Sequence, residues 1–520
     1  MPTIESTQTV THGPFFKGVD YSVPADEIDY NTLYEMENFT INSAGHAFKR
    51  NGSTPINGTA LNSGASVTAI GNQRFSAASS KTFAIIGNKF YEDIMGTPTD
   101  RTSTATITAG DDLTWELVNA DGTLIGHNGD SGDTIIKWPA SGNIAALDVD
   151  SRFTTAKHVE WFDRRAFWGN LSSGVNRVWY SDTDDIETYG ALNFFTFDTD
   201  VTGIKKWVNG SGCVIHTENS LIMLSPTGDA SVPYRKNLIS TGDDVLGGSL
   251  SGRCIINVPG FGQVFPRRDG IYSFNGQERI AKISYRLDGS RFWDNINADR
   301  LAYSFAQIYP NRNEVWFWLP YGSGQVKMNI VMVLNYRLSQ RVGEPVWYGP
   351  YVDLTRNCAA LISDKPHFGG FDGFVYKHDI GTVDDDGTTD NAIDGYIVSG
   401  SSAPFGGKVD CDWISARTFF EISGNHDIEM TEISPDIPSD TQLIHMGGSY
   451  DAIGVDFAIG VSAIAGDSEV QYSDKKLSGK SPFKQLKYRN GNASQPCTIR
   501  KTVLAFDPIG TVYRDVSGAN

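Results

Sequence analysis

The feature that most constrains this chain is a strand-and-turn pattern that returns at nearly constant spacing. Residues 158–182 read HVEWFDRRAFWGNLSSGVNRVWYSD: a strand, an Asp-Arg turn, a second strand, a Ser-Gly turn and an aromatic third strand. The same grammar returns in GIKKWVNGSGCVIHTENSLIMLS, CIINVPGFGQVFPRRDGIYSFNG, FAQIYPNRNEVWFWLP with NIVMVLNY, and CAALISDKPHFGGFDGFVYKH. An earlier copy, SVTAIGNQRFSAASSKTFAIIGNKFY, begins near Val67. Short runs rich in β-branched and aromatic residues, punctuated by Gly, Asn and Asp, are strands joined by tight turns. First strands start near Val67, His158, Ile204, Cys254, Phe305 and Cys358. A strand-built period of roughly 40 to 50 residues is the mark of β-propeller blades.

This predicts an all-β chain with a β-propeller-like repeat domain over residues 61–390, of about six blades, closed or incomplete. Residues 97–150, rich in Thr, Gly and Asp, interrupt the series and read as a small inserted β subdomain, a place where partners are met. After residue 390 the period stops. Longer alternating strands such as DWISARTFFEI and YDAIGVDFAIGVSAI (Val455, Phe457, Ile459, Val461) predict a β-sandwich-like domain over 391–520. Residues 1–60 read as a segment leading into the first blade, with a helical patch in DEIDYNTLYEMENF.

Composition bounds the chemistry. Sixty-one acidic against 43 basic side chains give a net charge of −18, which argues against a grip on nucleic-acid phosphates. It is compatible with a wall past which nucleic acid slides. The five cysteines stand singly, without the spacing of a disulfide framework or zinc site, and read as buried thiols. The nine histidines are dispersed. No G-x-S-x-G elbow, H-E-x-x-H, Walker loop or dinucleotide fingerprint occurs, and SDTDDIETYG lacks the Gly and Trp of a sialidase box. No catalytic residue, metal ligand or cofactor is therefore assigned, and the expectation is not an enzyme. No stretch approaches the ~18 apolar residues of a membrane span, and the first residues lack a signal-peptide pattern, so synthesis in the cytoplasm is expected.

Two residue sets remain. Arg164, Arg165, Arg267 and Arg268 sit in turns, where they either reach a neighbouring subunit or pack and pair within their own blade. DDDGTTD at 384–390 outlines a calcium loop without its terminal Glu and reads better as a solvated acidic linker.

Four stretches resemble the tail nozzle, or tail hub (phage stabilisation), proteins of short-tailed bacteriophages. The opening GVDYSVPADEIDYNTLYEMENFTINSAGHAFKRNGSTPI carries Asn38, Gly45, Arg50 and Gly52 in the places where that family has an Asn, a Gly and an Arg-x-Gly turn. FDRRAFWGN with NRVWYSD, and FPRRDGIYSFNGQE, resemble its blades, and TFFEISGNHDIEMTEISPDI its trailing domain. The resemblance implies a virion protein of the phage tail. Six copies would form a ring below the dodecameric adaptor, enclose the channel for genome ejection and anchor tail fibres or tailspikes. DNA would pass through the lumen without tight binding. Asp182, Asp184, Asp185, Asp384, Asp385 and Asp386 are then candidates to line that channel. The alternatives are a receptor-binding or glycan-active tail protein and a non-enzymatic cellular β-propeller scaffold.

Overall fold

A computed structural model describes residues 7–76, 79–139, 141–239, 247–276, 280–421, 423, 426–434, 438–446, 470–493 and 495–509. The chain is all-β, built of small antiparallel sheets arranged as repeat-like units. Seven such sheets follow one another, with first strands Val67–Ser76, Glu116–Ala120, Ala156–Phe162, Val201–Lys206, Ile256–Val258, Phe305–Tyr309 and Cys358–Ile362. Each of the first six has four strands in sequence order, so every neighbour is joined by a hairpin or short connection. The seventh has six strands.

Six of these starts coincide with the repeats read from the sequence. The remaining one corrects the expected insertion. Within 97–150, strands Glu116–Ala120, Thr123–His127, Ile136–Trp138 and Ala145–Ala146 make a sheet of the same order as its neighbours, and its first strand packs between those of the first and third sheets. Asp121 and Gly122, both at positive φ, form the two-residue turn that joins its first hairpin. The pattern is muted because the last two strands are only three and two residues long.

Residues 158–182 supply nearly all of the first three strands of the third sheet. Phe167 and Trp168 are fully buried, and Trp179 and Tyr180 nearly so. They sit in cores shared with adjacent sheets: Trp168 packs with Ile125 of the second, and Phe167 with Ile204 and Ile215 of the fourth. Trp168 Nε1 donates to Tyr189 OH at 2.9 Å, so its polar edge is not stranded. The series also meets at its ends. Val67, Ile70 and Ile86 of the first sheet share a core with Cys358, Ile362 and Val375 of the seventh. Asn357 Nδ2 donates to Ser66 Oγ at 3.0 Å, and Val67 N to Gly370 O at 2.9 Å.

Residues 1–60 depart from the expectation of a simple lead-in. The patch read as helical holds strands Leu33–Glu37 and, from its last residue, Phe39–Ile41. Among the described residues the one α-helix is Tyr336–Val342, capped by Asn335, whose side chain accepts from Leu338 N. Strands Gln8–His12, Phe39–Ile41 and Ala47–Lys49 join Asp410–Glu421, Val470–Lys476, Lys480–Ser481 and Thr498–Ile509 in a seven-stranded sheet. Leu33–Glu37 joins Gly395–Ser399, Asp427–Ile433, Thr441–His445 and Gln485–Asn490 in a five-stranded one. Ser53–Pro55 is neither of these; it pairs with Val375–His378 and completes the seventh repeat sheet. Sequence alone hides this because partners lie hundreds of residues apart. The expected strand around Val455–Val461 lies outside the described residues.

The two large sheets share one core, with Trp413, Phe420, Leu504 and Phe506 from one and Ile428, Met430, Leu486 and Tyr488 from the other. Thr418 and Thr502 stand opposite each other on the seven-stranded sheet, and Tyr488 reaches them from the five-stranded one. Its hydroxyl lies 2.8 Å from Thr418 Oγ1 and 2.7 Å from Thr502 Oγ1, with all three side chains buried. Tyr488→Phe leaves two buried hydroxyls short of a partner. It is expected to lower unfolding free energy by about 1–3 kcal/mol in urea titrations while the circular dichroism spectrum is kept. An unchanged midpoint would show that the bridge contributes nothing.

Candidate functional site

Two places concentrate buried polar groups. The first is a joint built on Asn38 and Arg50, which the resemblance had marked by residue type alone. Asn38 holds a left-handed φ of 52° and is buried. Its side chain donates to Asp394 O at 2.7 Å and accepts from Arg50 Nε at 2.8 Å and Val352 N at 3.0 Å. Arg50 then grips Asp384 with two parallel bonds, at 3.1 and 2.6 Å, and donates to the carbonyls of Asn51 and Val352. All five guanidinium N–H groups are thereby engaged, which is what a buried arginine needs. Gly52 follows for steric reasons, since a Cβ there would stand 1.7 Å from Val383 O. Gly45, at φ 83°, turns the hairpin that brings Phe39–Ile41 and Ala47–Lys49 together. Lys49 extends the joint by donating to Ile393 O and Asn492 O, and burial brings its ammonium down to about 8. The N-terminal segment, the seventh repeat sheet and the C-terminal sheets meet here.

The second is a cavity of about 350 Å3 among the seven first strands and their flanks, lined by Gln73, Glu116, Val159, Lys205, Arg253, Gln307 and Ala359. Glu116 Oε1 lies 3.0 Å from His158 Nδ1. Burial alone would raise the Glu116 carboxyl, but His158, Lys205 and Arg253 outweigh it and hold it below its usual range. Glu160, 3.4 Å from Lys205 Nζ, more than offsets burial and holds that ammonium above its usual value. Arg253 is spent on the carbonyls of Tyr303 and Asn357. Charges of both signs thus balance across the cavity, and a second cavity of about 480 Å3 shares Glu116 and Arg253 in its lining and also borders Lys157, Asp200 and Glu218.

The residues singled out in the sequence fall elsewhere. Arg164 Nε pairs with Asp184 at 2.6 Å across two turns of the third sheet. Arg165 stacks over Tyr180 and donates to Ser181 O. Arg267 stacks over Tyr272, and Arg268, largely exposed, stands 3.8 Å from Asp299. Asp182 accepts from Asn193, and Asp185 from Glu187 N and Thr188 Oγ1, which lower its carboxyl. DDDGTTD forms a hairpin, Val383–Asp385 with Asp390–Ala392, in the seventh sheet. Asp384 faces Arg50, Asp385 accepts from Thr54, and the hydroxyl and backbone of Thr388 hold Asp386 down to about 2. None of the six aspartates borders the central cavity; Asp384, Asp385 and Asp386 instead border a separate cleft beside Arg50. Glu116, Lys205 and Arg253 were missed, and alternation within a strand gives no sign of which face turns inward. Among the described residues no three His, Cys, Asp or Glu side chains are placed to hold a metal ion, and no helix is long and apolar enough to cross a membrane.

No protein-family model and no curated protein sequence matches the chain. Among solved structures, it is similar to the extracellular domain of a one-component system from B. thetaiotaomicron. That alignment covers 91% of this chain and 63% of the other, under two thirds of its length, at 9% identity and a TM-score of 0.41. It is also similar to a galactose-bound exo-beta-1,3-galactanase from Phanerochaete chrysosporium, over 84% and 95% of the two chains, at 10% identity and a TM-score of 0.24. At those scores neither likeness bears on what this chain binds or does.

Two outcomes follow from the buried groups. Arg50→Ala strands Asp384 and removes the bonds to Asn38 and Val352, so a loss of about 3–5 kcal/mol is expected in denaturant titrations. Arg50→Lys should recover little of it, because an ammonium cannot make the planar fork. A loss no larger than that of an exposed arginine would refute the joint. The second outcome concerns pH. His216 Nδ1 accepts from Ser249 N at 3.0 Å and Nε2 faces Gln263 Oε1, so the ring is neutral; burial lowers it to about 4, as it does His12. The unfolded chain binds protons that the folded chain refuses, so stability is full above about 6.5 and is lost as pH falls toward about 4. Denaturation midpoints measured across that window should fall, and His216→Gln should flatten the slope.

Proposed function

We propose that the chain is a structural subunit of a short-tailed phage tail, the nozzle ring below the portal and adaptor, with its seven repeat sheets closed as a seven-bladed propeller. The observation that carries this reading is the joint: Asn38, Gly45, Arg50 and Gly52, which carry the resemblance, all serve it. A motif is better supported when its residues have a shared physical task than when they merely recur.

The central cavity supports the same reading by its size. About 350 Å3 cannot admit a duplex whose major groove alone is ~12 Å wide. A DNA conduit would therefore run between copies, not through one. Six copies in cyclic symmetry supply such a lumen with one repeated contact, and a chain of net charge −18 repels phosphate from its walls. Asp384 is committed to Arg50, so Asp182, Asp184, Asp185 and Asp386, which keep more of their surface, are the better lumen candidates. The partners on this reading are the adaptor above and tail fibres or spikes outside.

Negative-stain microscopy of the purified protein tests it, together with mass spectrometry of virions from the source phage. Six-fold rings and presence in the particle are expected. A chain that stays monomeric at every concentration and is missing from virions would exclude the nozzle role. Saccharide cleavage by the isolated chain would favour the glycan-active alternative.

A further inference from the structure

A cleft of about 730 Å3 lies where the N-terminal hairpin meets the sixth repeat sheet. At its base Arg312 is fixed by Glu314 at 3.0 Å, Asp379 at 2.9 Å and Thr40 Oγ1 at 3.1 Å, and it stacks over Phe48. The two acids there are already satisfied. Glu314 accepts from Tyr348 and Trp316, and Asp379 from Tyr309, Asn51 and Lys365. Glu344, just beyond the helix, pairs with Arg286. The helix adds Arg337 and Arg341, one turn apart and exposed. Arg341 donates to Ser43 O, and Arg337 has no partner among the described residues. What the cleft still offers is therefore unspent guanidinium donors, on a chain with 18 more acids than bases.

The seven-stranded sheet carries the complement. Asp412 and Asp507 stand directly opposite each other, with Asp410 two residues along the same face; all three are exposed and without an ion pair among the described residues. Lys480 registers beside Asp412 without pairing. Like charges in register across strands destabilise a sheet unless something answers them. The two patches cannot meet within one molecule. Phe48, at the cleft, pairs with Thr498 at the start of strand Thr498–Ile509, and Asp507 lies near its other end. Nine residues of extended chain separate them, roughly 30 Å.

We infer that these patches form the contact between copies: Arg337 and Arg341 of one copy receive the carboxylates of Asp410, Asp412 and Asp507 of the next. Unlike patches at opposite ends of one strut give a head-to-tail contact, which closes into a ring when the rotation permits. Guanidinium–carboxylate pairs are bidentate and so fix that angle as well as supply attraction. The inference rests on the ring proposed above and names its contact.

Charge exchange tests it. Arg337→Glu with Arg341→Glu, or Asp412→Arg with Asp507→Arg, should each raise the concentration for half-assembly by about tenfold or more in sedimentation velocity. The four substitutions combined should restore assembly, and Arg337→Lys with Arg341→Lys, which keep the charge but lose the planar fork, should weaken it less than charge reversal does. Thermal melts of each variant report whether it is folded. Rings that form unchanged in both charge-reversed pairs would overturn this contact while leaving the nozzle reading in place. So would loss in both pairs without recovery in the folded four-fold variant. A wild-type chain that never assembles would overturn both.

Discussion

The non-local part of this fold holds the segment before residue 60 against the chain beyond residue 350, and the buried pair of Arg50 with Asp384 is the charged interaction at that junction. The pair joins positions 334 residues apart, and their side chains are 4% and 15% exposed. Burying a guanidinium is costly, and the cost is met only because each of its five N–H groups finds an acceptor. That requirement then fixes the neighbourhood. Asn38 must turn left-handed to point its oxygen at Nε, Gly52 must lack a side chain to let Val383 pass, and Ser53 can then lie beside Asp384 as the next strand of the seventh sheet. The segment before residue 60 is thus the piece that both completes the repeats and enters the C-terminal sheets. Such closure is non-local by construction, so the entropy of bringing distant segments together is met before its contacts repay it.

The same device recurs nearby, where two further arginines satisfy carbonyls of the N-terminal segment. Arg291 donates to the carbonyls of Tyr21, Tyr34 and Asp20 and stacks on Tyr34 at 3.9 Å, while Arg286 donates to Lys17 O. Arg253 is spent in like manner at the central cavity. Among the described residues the buried bases Lys49, Arg50, Arg286, Arg356 and Lys484 are matched by the buried acids Glu92, Asp133, Glu160, Glu314 and Glu432, so the excess of acids is carried at the surface. Arg337 and Arg341 differ from these buried arginines in lying exposed, one turn apart on a single helix.

Much of the repeat was legible because hairpins write themselves locally: Trp161 to Ala166 and Phe265 to Tyr272 are cross-strand neighbours a few residues apart. The second sheet escaped because its last two strands, three and two residues long, are too short to show a period. The exchange of strands between the chain's two ends was not legible at all, since alternation in LYEME or AFK says that a strand has two faces and not which strand it will pair with. At the joint, sequence pointed to the residue types and gave no reason for them; the reason is Asp384, which composition filed as linker. Burial shows why the histidines looked unremarkable, since His12 and His216 are packed as neutral polar groups.

On the proposed reading the chain contributes to a conduit only as a wall, and such a wall must resist shear between its repeat sheets and between its copies. Within the chain, shear is opposed by cores that straddle adjacent sheets, such as Phe167 with Ile215 and Val67 with Cys358. Between copies, the proposed contact would load strand Thr498–Ile509 along its length, from the hairpin beside Arg341 to Asp507. That strand is also the centre of its sheet, flanked by Asp410–Glu421 on one side and by Gln8–His12 and Ala47–Lys49 on the other. A tensile member placed at the centre of a sheet shares its load through every ladder hydrogen bond it makes. The N-terminal strands that Arg50 locks in place are therefore part of the same load path, which ties the joint to the assembly it is proposed to serve.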